Sequence, residues 1–242
     1  MALSMEKVAS DSLIKTLNIS PKYRYERKFT IANTHRFEVL HSILHHPAFF
    51  RPIFHPRQIN NIYLDTKHLK FYKNNQIGIA NRKKIRIRWY GDNFGEITQP
   101  KLEYKLKYGL IGDKWTFDLN SFELQSGFKY STLCQVFESS DLPEIIRVDL
   151  QNLYPTLLNT YQRAYFLSAD KKFRLTLDEQ MAYYRFDYPV SNFKAVRRDK
   201  HDFIIELKYT PDVDEAAKSI TTKFPFRMDK SSKYVNGILA YQ

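Results

Sequence analysis

The stretch Lys101-Leu-Glu-Tyr-Lys-Leu-Lys-Tyr-Gly109 alternates charged and apolar side chains. Its charged positions hold three lysines and one glutamate, and the positions between them hold leucine and tyrosine. A period of two predicts a β-strand, because successive side chains of a strand point to opposite faces. One face of this strand is suited to a core, and the other presents a row of charges.

Four further stretches repeat this alternation, at residues 24–29, 82–90, 173–179 and 201–209. A single strand of this kind is more often a surface strand whose charged face meets water. Several in one chain, each with an apolar opposite face, favour a closed sheet of about eight strands with a charged lumen. The predicted fold class is therefore α+β, an antiparallel β-barrel tunnel with helices packed on its outside.

The composition limits the class of protein and of partner. The chain has 242 residues, 43% of them hydrophobic, and only seven glycines, which excludes a disordered chain. A net charge of +12 indicates an anionic partner, either a phosphate-rich ligand, a nucleic acid or an acidic membrane. The single cysteine, Cys134, suits a reducing compartment. No signal peptide or long apolar run is evident, so a cytoplasmic location is expected.

The other elements are predicted from caps, breaks and periodicity. A helix is expected over 35–46, capped by Asn33-Thr34, with an apolar stripe of Phe37, Leu40, Ile43 and Leu44. Prolines should break the chain before a strand over 58–64, and Asp65-Thr66 should cap a short helix. Further strands are expected over 114–119, 157–168 and 171–186, and helices within 120–138, 211–222 and 231–241. Residues 1–21 are predicted to be a lead-in to one domain over 22–242.

In order and in strand placement, the charged motifs resemble the VTC domain. The motifs are Glu26-Arg-Lys28, Arg86-Ile-Arg88, Glu103-Tyr-Lys105, Tyr161-Gln-Arg163, Arg174 with Asp178, Glu206-Leu-Lys208 and Ser232-Lys233. This is the catalytic domain of the vacuolar transporter chaperone polyphosphate polymerases, a branch of the triphosphate tunnel metalloenzymes. The resemblance implies an antiparallel tunnel that takes ATP with Mn²⁺ or Mg²⁺. It also implies transfer of the γ-phosphoryl group to a growing polyphosphate chain.

The resemblance also assigns roles to these residues. Guanidinium and ammonium groups suit phosphate oxygens, and phosphoryl transfer depends mainly on positioning and positive charge. The implied phosphate-binding residues are Lys28, Arg86, Arg88, Lys105, Tyr161, Arg163, Arg174, Lys208, Ser232 and Lys233. The implied catalytic set is Arg86, Arg88, Lys105, Arg163, Lys208 and Glu206. Glu206 is the main implied metal ligand; three further carboxylates would either assist the metal or orient a neighbouring cation, namely Glu26, Glu103 and Asp178.

One departure from the superfamily concerns the first strand. Triphosphatases and adenylate cyclase-like members carry Glu-x-Glu-x-Lys there, whereas this chain reads Arg24-x-Glu26-x-Lys28. The change replaces a carboxylate by a cation. Because weaker binding of a second metal should harm hydrolysis more than transfer to phosphate, the departure favours a polymerase.

Three alternatives stay open at this point. The chain could be an inorganic or nucleoside triphosphatase of the same fold, or a polyphosphate-binding module without turnover. A nucleic-acid-binding barrel would place aromatic side chains among the cations, whereas here they are out of phase with them, so no nucleic acid partner is expected. The expected partners are ATP and polyphosphate. A membrane-protein partner at an anionic leaflet is a further hypothesis, because eukaryotic relatives act in membrane complexes.

Overall fold

The computed structural model of the protein describes residues 24–108 and 111–241. For residue 111 it describes the backbone alone. The predicted lead-in, residues 1–21, lies outside these residues. The strands are β1 Tyr25–Ile31, β2 Arg51–Asp65, β3 Asn81–Tyr90, β4 Gly95–Ile97, β5 Lys101–Tyr108, β6 Ile111–Asp118, β7 Phe122–Leu124, β8 Phe128–Lys129, β9 Tyr154–Leu167, β10 Arg174–Arg185, β11 Val190–Ser191, β12 Ala195–Asp199 and β13 Phe203–Tyr209. The helices are α1 Arg36–Leu44, α2 Lys70–Gln76, α3 Tyr130–Ser139, α4 Glu144–Leu150, α5 Asp214–Thr222 and α6 Lys233–Leu239.

One large antiparallel sheet organises the chain. Its strands are hydrogen-bonded in the order β1-β13-β10-β9-β2-β3-β5-β6, and β12 pairs with β10. The edge strands β1 and β6 meet at one isolated bridge, between Arg24 and Gly112. The predicted antiparallel α+β fold is confirmed. Closure of the sheet into a barrel stays a prediction, because no continuous ladder joins β1 to β6 in the described residues.

The apolar face of the sheet packs on two groups of helices. One buried cluster joins β3 and β5 to α3 and α4, through side chains such as Leu133 and Ile146. A second joins β1, β10 and β13 to α1 and α5, through side chains such as Ile43 and Ala217. Burial of this apolar area drives the outward packing of these helices. No helix in the described part of the chain has the length and apolar character needed to cross a bilayer.

Helix α6 lies on the opposite, charged face of the sheet. Its Tyr234 and Ile238 pack with side chains of β2, β9 and β10, and Tyr234 stacks on Tyr63 with ring centroids 4.8 Å apart. The hydroxyl of Tyr234 donates to the Asp65 carboxylate at 2.6 Å. The same carboxylate accepts the amide N–H groups of Phe71 and Tyr72 in α2. Asp65 therefore caps α2, as the sequence predicts, and also holds α6.

A β-bulge in β10 changes the alternation of that strand. Its pairing with β9 shifts between Glu179 and Ala182, and Gln180 between them has a φ of 54°. Asp178 before the bulge and Tyr183 after it consequently share the charged face with Arg163 and Asn159 of β9. A strict period of two would have placed Tyr183 on the outer face.

Several sequence predictions of local structure are wrong. The N-cap of α1 is His35 without a side-chain cap, and Phe37 is 76% exposed while Val39 and Ile43 are buried. The apolar residues of α1 allow more than one stripe, and packing on the sheet selects the Val39 side. Strand β2 starts at Arg51 and not at residue 58. Its prolines do not end the strand, because the pairing with β9 is irregular where they lie. The short strands β7 and β8, each paired with another strand, replace the helix predicted at the start of 120–138.

The close packing of α6 on the sheet gives a stability prediction. A Cβ atom on Gly237 would lie 2.3 Å from Leu157 Cδ2 and 2.7 Å from Tyr183 Cδ1. Alanine is the better helix former by roughly 0.5–1 kcal/mol, but overpacking costs about 1–3 kcal/mol. We expect Gly237→Ala to lower the free energy of unfolding by about 1–2 kcal/mol, measured by chemical denaturation.

Two further variants make this test specific. Ser219→Ala changes an exposed position of α5 and should leave the unfolding free energy nearly unchanged. Leu157→Ala removes two of the three atoms that a Cβ at position 237 would strike, the third being Tyr183 Cδ1. Each single change should lower the free energy of unfolding. The sum of these two decreases should therefore exceed the decrease in the double variant. Strict additivity would contradict the assignment of the strain to this contact.

Candidate functional site

Strand register brings opposite charges together on one face of the sheet. Glu26 of β1 lies across from Lys208 of β13, and Lys28 lies across from Glu206. The neighbouring strands repeat this arrangement, with Arg86 opposite Glu103 and Arg163 opposite Asp178. Cross-strand pairs of opposite charge stabilise a sheet and fix the position of each side chain. The alternation noted in the sequence thus becomes a two-dimensional lattice of charges.

Glu206 lies at the centre of one part of this lattice and is 6% exposed. Its carboxylate lies 3.0 Å from Lys28 Nζ and 3.0 Å from Lys208 Nζ. Arg163 Nη2 and Lys233 Nζ follow at 3.3 Å and 3.9 Å. Burial raises the pKa of Glu206, but these cations outweigh it and hold the pKa well below its usual range. Glu206 is therefore a carboxylate anion with four cationic neighbours.

Glu26 and Glu103 hold two further sets of cations. Glu26 lies 2.9 Å from Lys28 Nζ and 3.0 Å from Lys105 Nζ. Glu103 contacts three cations, namely Arg86 at 2.7 Å, Lys114 at 3.0 Å and Arg88 at 3.7 Å. For both carboxylates, burial raises the pKa, but the neighbouring cations lower it by a larger amount. The pKa of each is therefore below its usual value. Both side chains are therefore ionised at neutral pH.

Asp178 is fully buried and orients two cations. It accepts hydrogen bonds from Arg163 Nε at 2.5 Å and from Arg163 Nη2 at 2.6 Å, so the two side chains form a bidentate ion pair. Its Oδ2 atom also accepts a short hydrogen bond from Lys233 Nζ. Of the two roles open to this residue in the sequence, these contacts favour orientation of neighbouring cations over direct metal binding.

Tyr161 and Ser232 lie beside the cations. The Tyr161 hydroxyl accepts a hydrogen bond from Arg88 Nη2 at 3.2 Å. Burial raises the pKa of Tyr161, but Arg163 and Arg88 outweigh it and lower the pKa. Ser232 Oγ caps α6 by accepting the Val235 amide N–H at 3.3 Å. Both hydroxyl oxygens accept hydrogen bonds, so each hydroxyl keeps its own proton for donation to another group.

We define the inner cation group as the eight cations that form ion pairs with these four carboxylates: Lys28, Arg86, Arg88, Lys105, Lys114, Arg163, Lys208 and Lys233. Seven of them are among the residues predicted from the sequence. Arg174, also predicted, is exposed and lies across from Lys208, and it forms no ion pair within the described residues. The phosphate-binding role of Arg174 stays a prediction.

Lys114 and Lys84 are not among the residues predicted from the sequence. Lys114 of β6 lies directly across from Lys105, which the sequence could not reveal without the pairing of β5 with β6. Lys84 is in phase with Arg86 and Arg88, a signal that the sequence does contain. Its Nζ donates to Ser232 Oγ at 2.7 Å, so it joins β3 to the start of α6.

The fold implies a divalent metal ion, whose possible ligands here are the carboxylates of the charged face. The described residues contain no group of three or more His, Cys, Asp or Glu side chains that could hold a metal by themselves. Glu26 and Glu206, however, both contact one cationic atom, Lys28 Nζ. Mg²⁺ commonly takes only one or two carboxylates and completes its shell with phosphate oxygens and water. This pair of carboxylates fits such an ion when a phosphate ligand accompanies it.

Comparison with known structures gives the fold of the chain. A candidate adenylate cyclase from Vibrio parahaemolyticus is 10% identical, with a TM-score of 0.51, and the match covers 91% of this chain and 99% of that chain. A protein from Pyrococcus horikoshii OT3 is 14% identical, with a TM-score of 0.51, covering 91% and 100%. A candidate adenylate cyclase from Bacillus halodurans is 17% identical, with a TM-score of 0.50, covering 90% and 98%. No curated protein sequence matches the chain.

The comparison with protein families is more specific. The family model described as the VTC domain matches residues 23–241. The match includes every strand of the large sheet, the inner cation group and its four carboxylates, and it also includes α6. The chain therefore belongs to the VTC domain family.

Proposed function

We propose that this protein is a polyphosphate polymerase that transfers the γ-phosphoryl group of ATP to the end of an inorganic polyphosphate chain. The observation that carries the proposal is the inner cation group, in which eight cations share four carboxylates on one face of the sheet. Positive charge in this excess suits a ligand with several adjacent phosphates. Membership of the VTC domain family supports the same substrate class.

We further propose that the sheet closes into a tunnel whose lumen is this charged face. Two contacts support closure. The edge strands meet at the bridge between Arg24 and Gly112. Glu26 of the edge strand β1 also forms its 3.0 Å ion pair with Lys105 of β5, next to the other edge. A lumen would exclude water from the cations and strengthen their interaction with phosphate.

In the proposed mechanism, cations that carboxylates already hold gain phosphate oxygens as further partners. In the protein alone, each inner cation is held by a carboxylate, so its position is fixed before substrate binds. Phosphate oxygens then become additional partners of Arg86, Arg88 and Arg163, whose planar guanidinium groups bind oxygens in pairs. Phosphoryl transfer requires little covalent chemistry from the protein, and cations fixed in place stabilise the charge that develops. Asp178 and Glu103 thus serve as positioning residues for their cations.

Glu206 and Glu26 are the proposed metal-binding carboxylates. A bound Mn²⁺ or Mg²⁺ would neutralise charge on the phosphate oxygens and polarise the reacting phosphoryl group. Lys28 lies between the two carboxylates, 2.9 Å and 3.0 Å away, and balances their charge in the protein alone.

A second candidate function is hydrolysis of a short triphosphate, and α6 favours it. Tyr234 and Ile238 of α6 cover part of the charged face and pack with Tyr161. This apolar cluster limits the path along which a long chain could thread. Arg24 supports the polymerase instead, because hydrolases of the superfamily carry a carboxylate at this position.

The deciding experiment is incubation of the purified protein with ATP and Mn²⁺, followed by separation of polyphosphate from orthophosphate on a gel. A ladder of polyphosphate that disappears in Glu206→Ala would support the polymerase. Release of orthophosphate alone, with triphosphate as the better substrate, would reject the polymerase in favour of the hydrolase. Tight triphosphate binding without turnover would reject both activities.

A first variant tests whether Lys208 serves catalysis more than stability. Its partner Glu206 keeps Lys28 and Arg163 as cationic neighbours when Lys208 is removed. We expect Lys208→Ala to reduce turnover about 100-fold. The free energy of unfolding should change by less than about 1 kcal/mol, because this ion pair is partly exposed. The checks are initial rates and chemical denaturation.

Lys218→Ala is the matched control, because Lys218 also pairs with a glutamate but lies on the outer helix α5. It should keep full activity. A large fall in the stability of Lys208→Ala, with unchanged turnover per folded molecule, would show that Lys208 is structural.

A second variant separates metal binding from cation positioning at Glu206. In a chelating buffer, Glu206→Gln should bind tripolyphosphate about fivefold more tightly, because a nearby negative charge is worth roughly 1 kcal/mol of repulsion in water. With Mn²⁺, its turnover should fall about 100-fold or more. Calorimetry and initial rates provide the two measurements.

Glu179→Gln is the control, since Glu179 is also a buried carboxylate but pairs with Arg36 at 2.7 Å, outside the inner cation group. It should change neither metal-free affinity nor turnover. If Glu206→Gln weakens metal-free binding, the main role of Glu206 is to hold the cations in place.

A further inference from the structure

Phe49 combines an exposed side chain with an unfavourable backbone conformation. It lies in the turn between α1 and β2, its side chain is 59% exposed, and its φ is 52°. Left-handed backbone costs free energy for any residue with a Cβ atom, and a bulky side chain is an outlier there. An exposed ring gains little of the burial that would offset this cost within the chain. Backbone strain of this kind is typical of functional sites.

A second turn lies directly against this one. The Ala169 amide N–H, in the turn between β9 and β10, donates to the Ala48 carbonyl oxygen at 3.0 Å. Strand pairing keeps the two turns together, because Arg51 at the start of β2 lies across from Leu167 at the end of β9. We define the aromatic tip as one ring and three cations that are exposed at these turns: Phe49, Arg51, Lys171 and Lys172.

The cations of the aromatic tip outnumber its carboxylates. The Arg51 guanidinium donates to two backbone carbonyl oxygens, those of Leu44 and Phe50, at 3.3 Å and 3.2 Å. The second turn has one acidic residue, Asp170, whose Oδ1 atom accepts the Lys172 amide N–H at 3.1 Å. None of the three cations forms an ion pair within the described part of the chain. The tip therefore presents uncompensated positive charge around an exposed ring.

Helix α1 extends this surface with further exposed rings. The rings of Phe37 and His41 lie 6.0 Å apart, and His41 stacks on His45 at 4.0 Å. Leu44 is also exposed on this side of the helix. Positions three and four apart form one stripe along a helix, and this stripe leads to the turn that holds Phe49. A contiguous exposed apolar surface of this kind marks a contact with a protein or with a membrane.

The combination of a ring with lysines favours an anionic bilayer over a protein as the partner. Protein interfaces are depleted of lysine relative to the rest of a protein surface. At a bilayer, an aromatic ring inserts at the boundary between headgroups and acyl chains. Lysine and arginine then reach the lipid phosphates while their apolar stems stay among the lipids. Lys171 and Lys172 beside Phe49 suit this second environment.

We propose that the aromatic tip, with the adjoining stripe of α1, is a docking surface for a bilayer of anionic phospholipid. Phe49 inserts between the headgroups, and the three cations bind lipid phosphates. Burial of the ring in the bilayer offsets the cost of its backbone conformation, which the chain alone leaves uncompensated. This surface is separate from the charged face of the sheet, and the proposal does not depend on the activity proposed above.

Vesicle flotation of the full-length protein tests the cations. We expect binding to vesicles of phosphatidylglycerol with phosphatidylcholine, and little binding to phosphatidylcholine alone. The triple variant Arg51→Gln/Lys171→Gln/Lys172→Gln should lower the partition coefficient on the anionic vesicles about 100-fold, because each cation near the surface contributes about fivefold.

The matched control is a second triple variant that removes one arginine and two lysines, all exposed, from other parts of the surface: Lys129→Gln/Lys194→Gln/Arg198→Gln. It leaves the protein with the same net charge as the first triple variant. It should lower the partition coefficient by less than about threefold, because these side chains do not reach the docked bilayer.

Phe49→Asn tests the ring. Asparagine tolerates left-handed backbone better than phenylalanine, so the urea midpoint of unfolding should stay the same or rise. Partitioning onto the anionic vesicles should nevertheless fall about tenfold. Ile77→Asn is the control, since Ile77 is 72% exposed at the end of α2, and it should leave partitioning unchanged. In Phe49→Trp, vesicles should shift the emission to the blue and brominated lipid should quench it, because Trp89 and Trp115 are buried.

Equal losses for the two triple variants would overturn the docking surface, because net charge alone would then explain binding. Absence of binding to the anionic vesicles, or a Phe49→Trp emission that vesicles leave unchanged, would overturn it as well. Sedimentation velocity identifies the other occupant: a dimer that dissociates in Phe49→Asn, without vesicle binding, would assign the surface to a second copy of the chain. These outcomes are separate from failure of the polymerase, because no turnover is measured.

Discussion

Like charges can be buried side by side only when opposite charges separate them. On this sheet, four carboxylates form ion pairs with eight cations and lie between them. Glu206 and Asp178 share Arg163 and Lys233, so neither carboxylate is an isolated ion pair. The inner cation group is stable without a ligand because its cations alternate in space with carboxylates.

The same arrangement prepares the face for a polyanion. A carboxylate has two oxygens and can orient several cations, yet it leaves donor hydrogens of each cation unused. The proposed phosphate ligand could therefore bind without a rearrangement of the cations, which would lower the energetic cost of ordering side chains on binding. Membership of the VTC domain family and the charge lattice both support the proposed binding of a polyanion.

Much of this site could be predicted because charged alternation determines which face a side chain occupies. The alternation places Lys28, Arg86 and Glu206 on the charged face, and the resemblance to the VTC domain implies their roles. Alternation does not reveal which strands are neighbours or how far along the sheet a residue lies. Lys114 was missed because only the pairing of β5 with β6 places it beside Glu103. Arg174 has the predicted phase, but it lies at the first position of β10 and is exposed.

The β-bulge at Gln180 divides β10 into two parts with opposite parity. Before it, the strand contributes Asp178 to the ionic section of the sheet face; after it, the strand contributes Tyr183 to the apolar section under α6. One extra residue therefore lets a single strand serve two environments on the same face. Loss or gain of one residue here would exchange the inward and outward side chains of every later position in β10. The number of residues at the bulge therefore decides which side chains of the second part of β10 reach each face of the sheet.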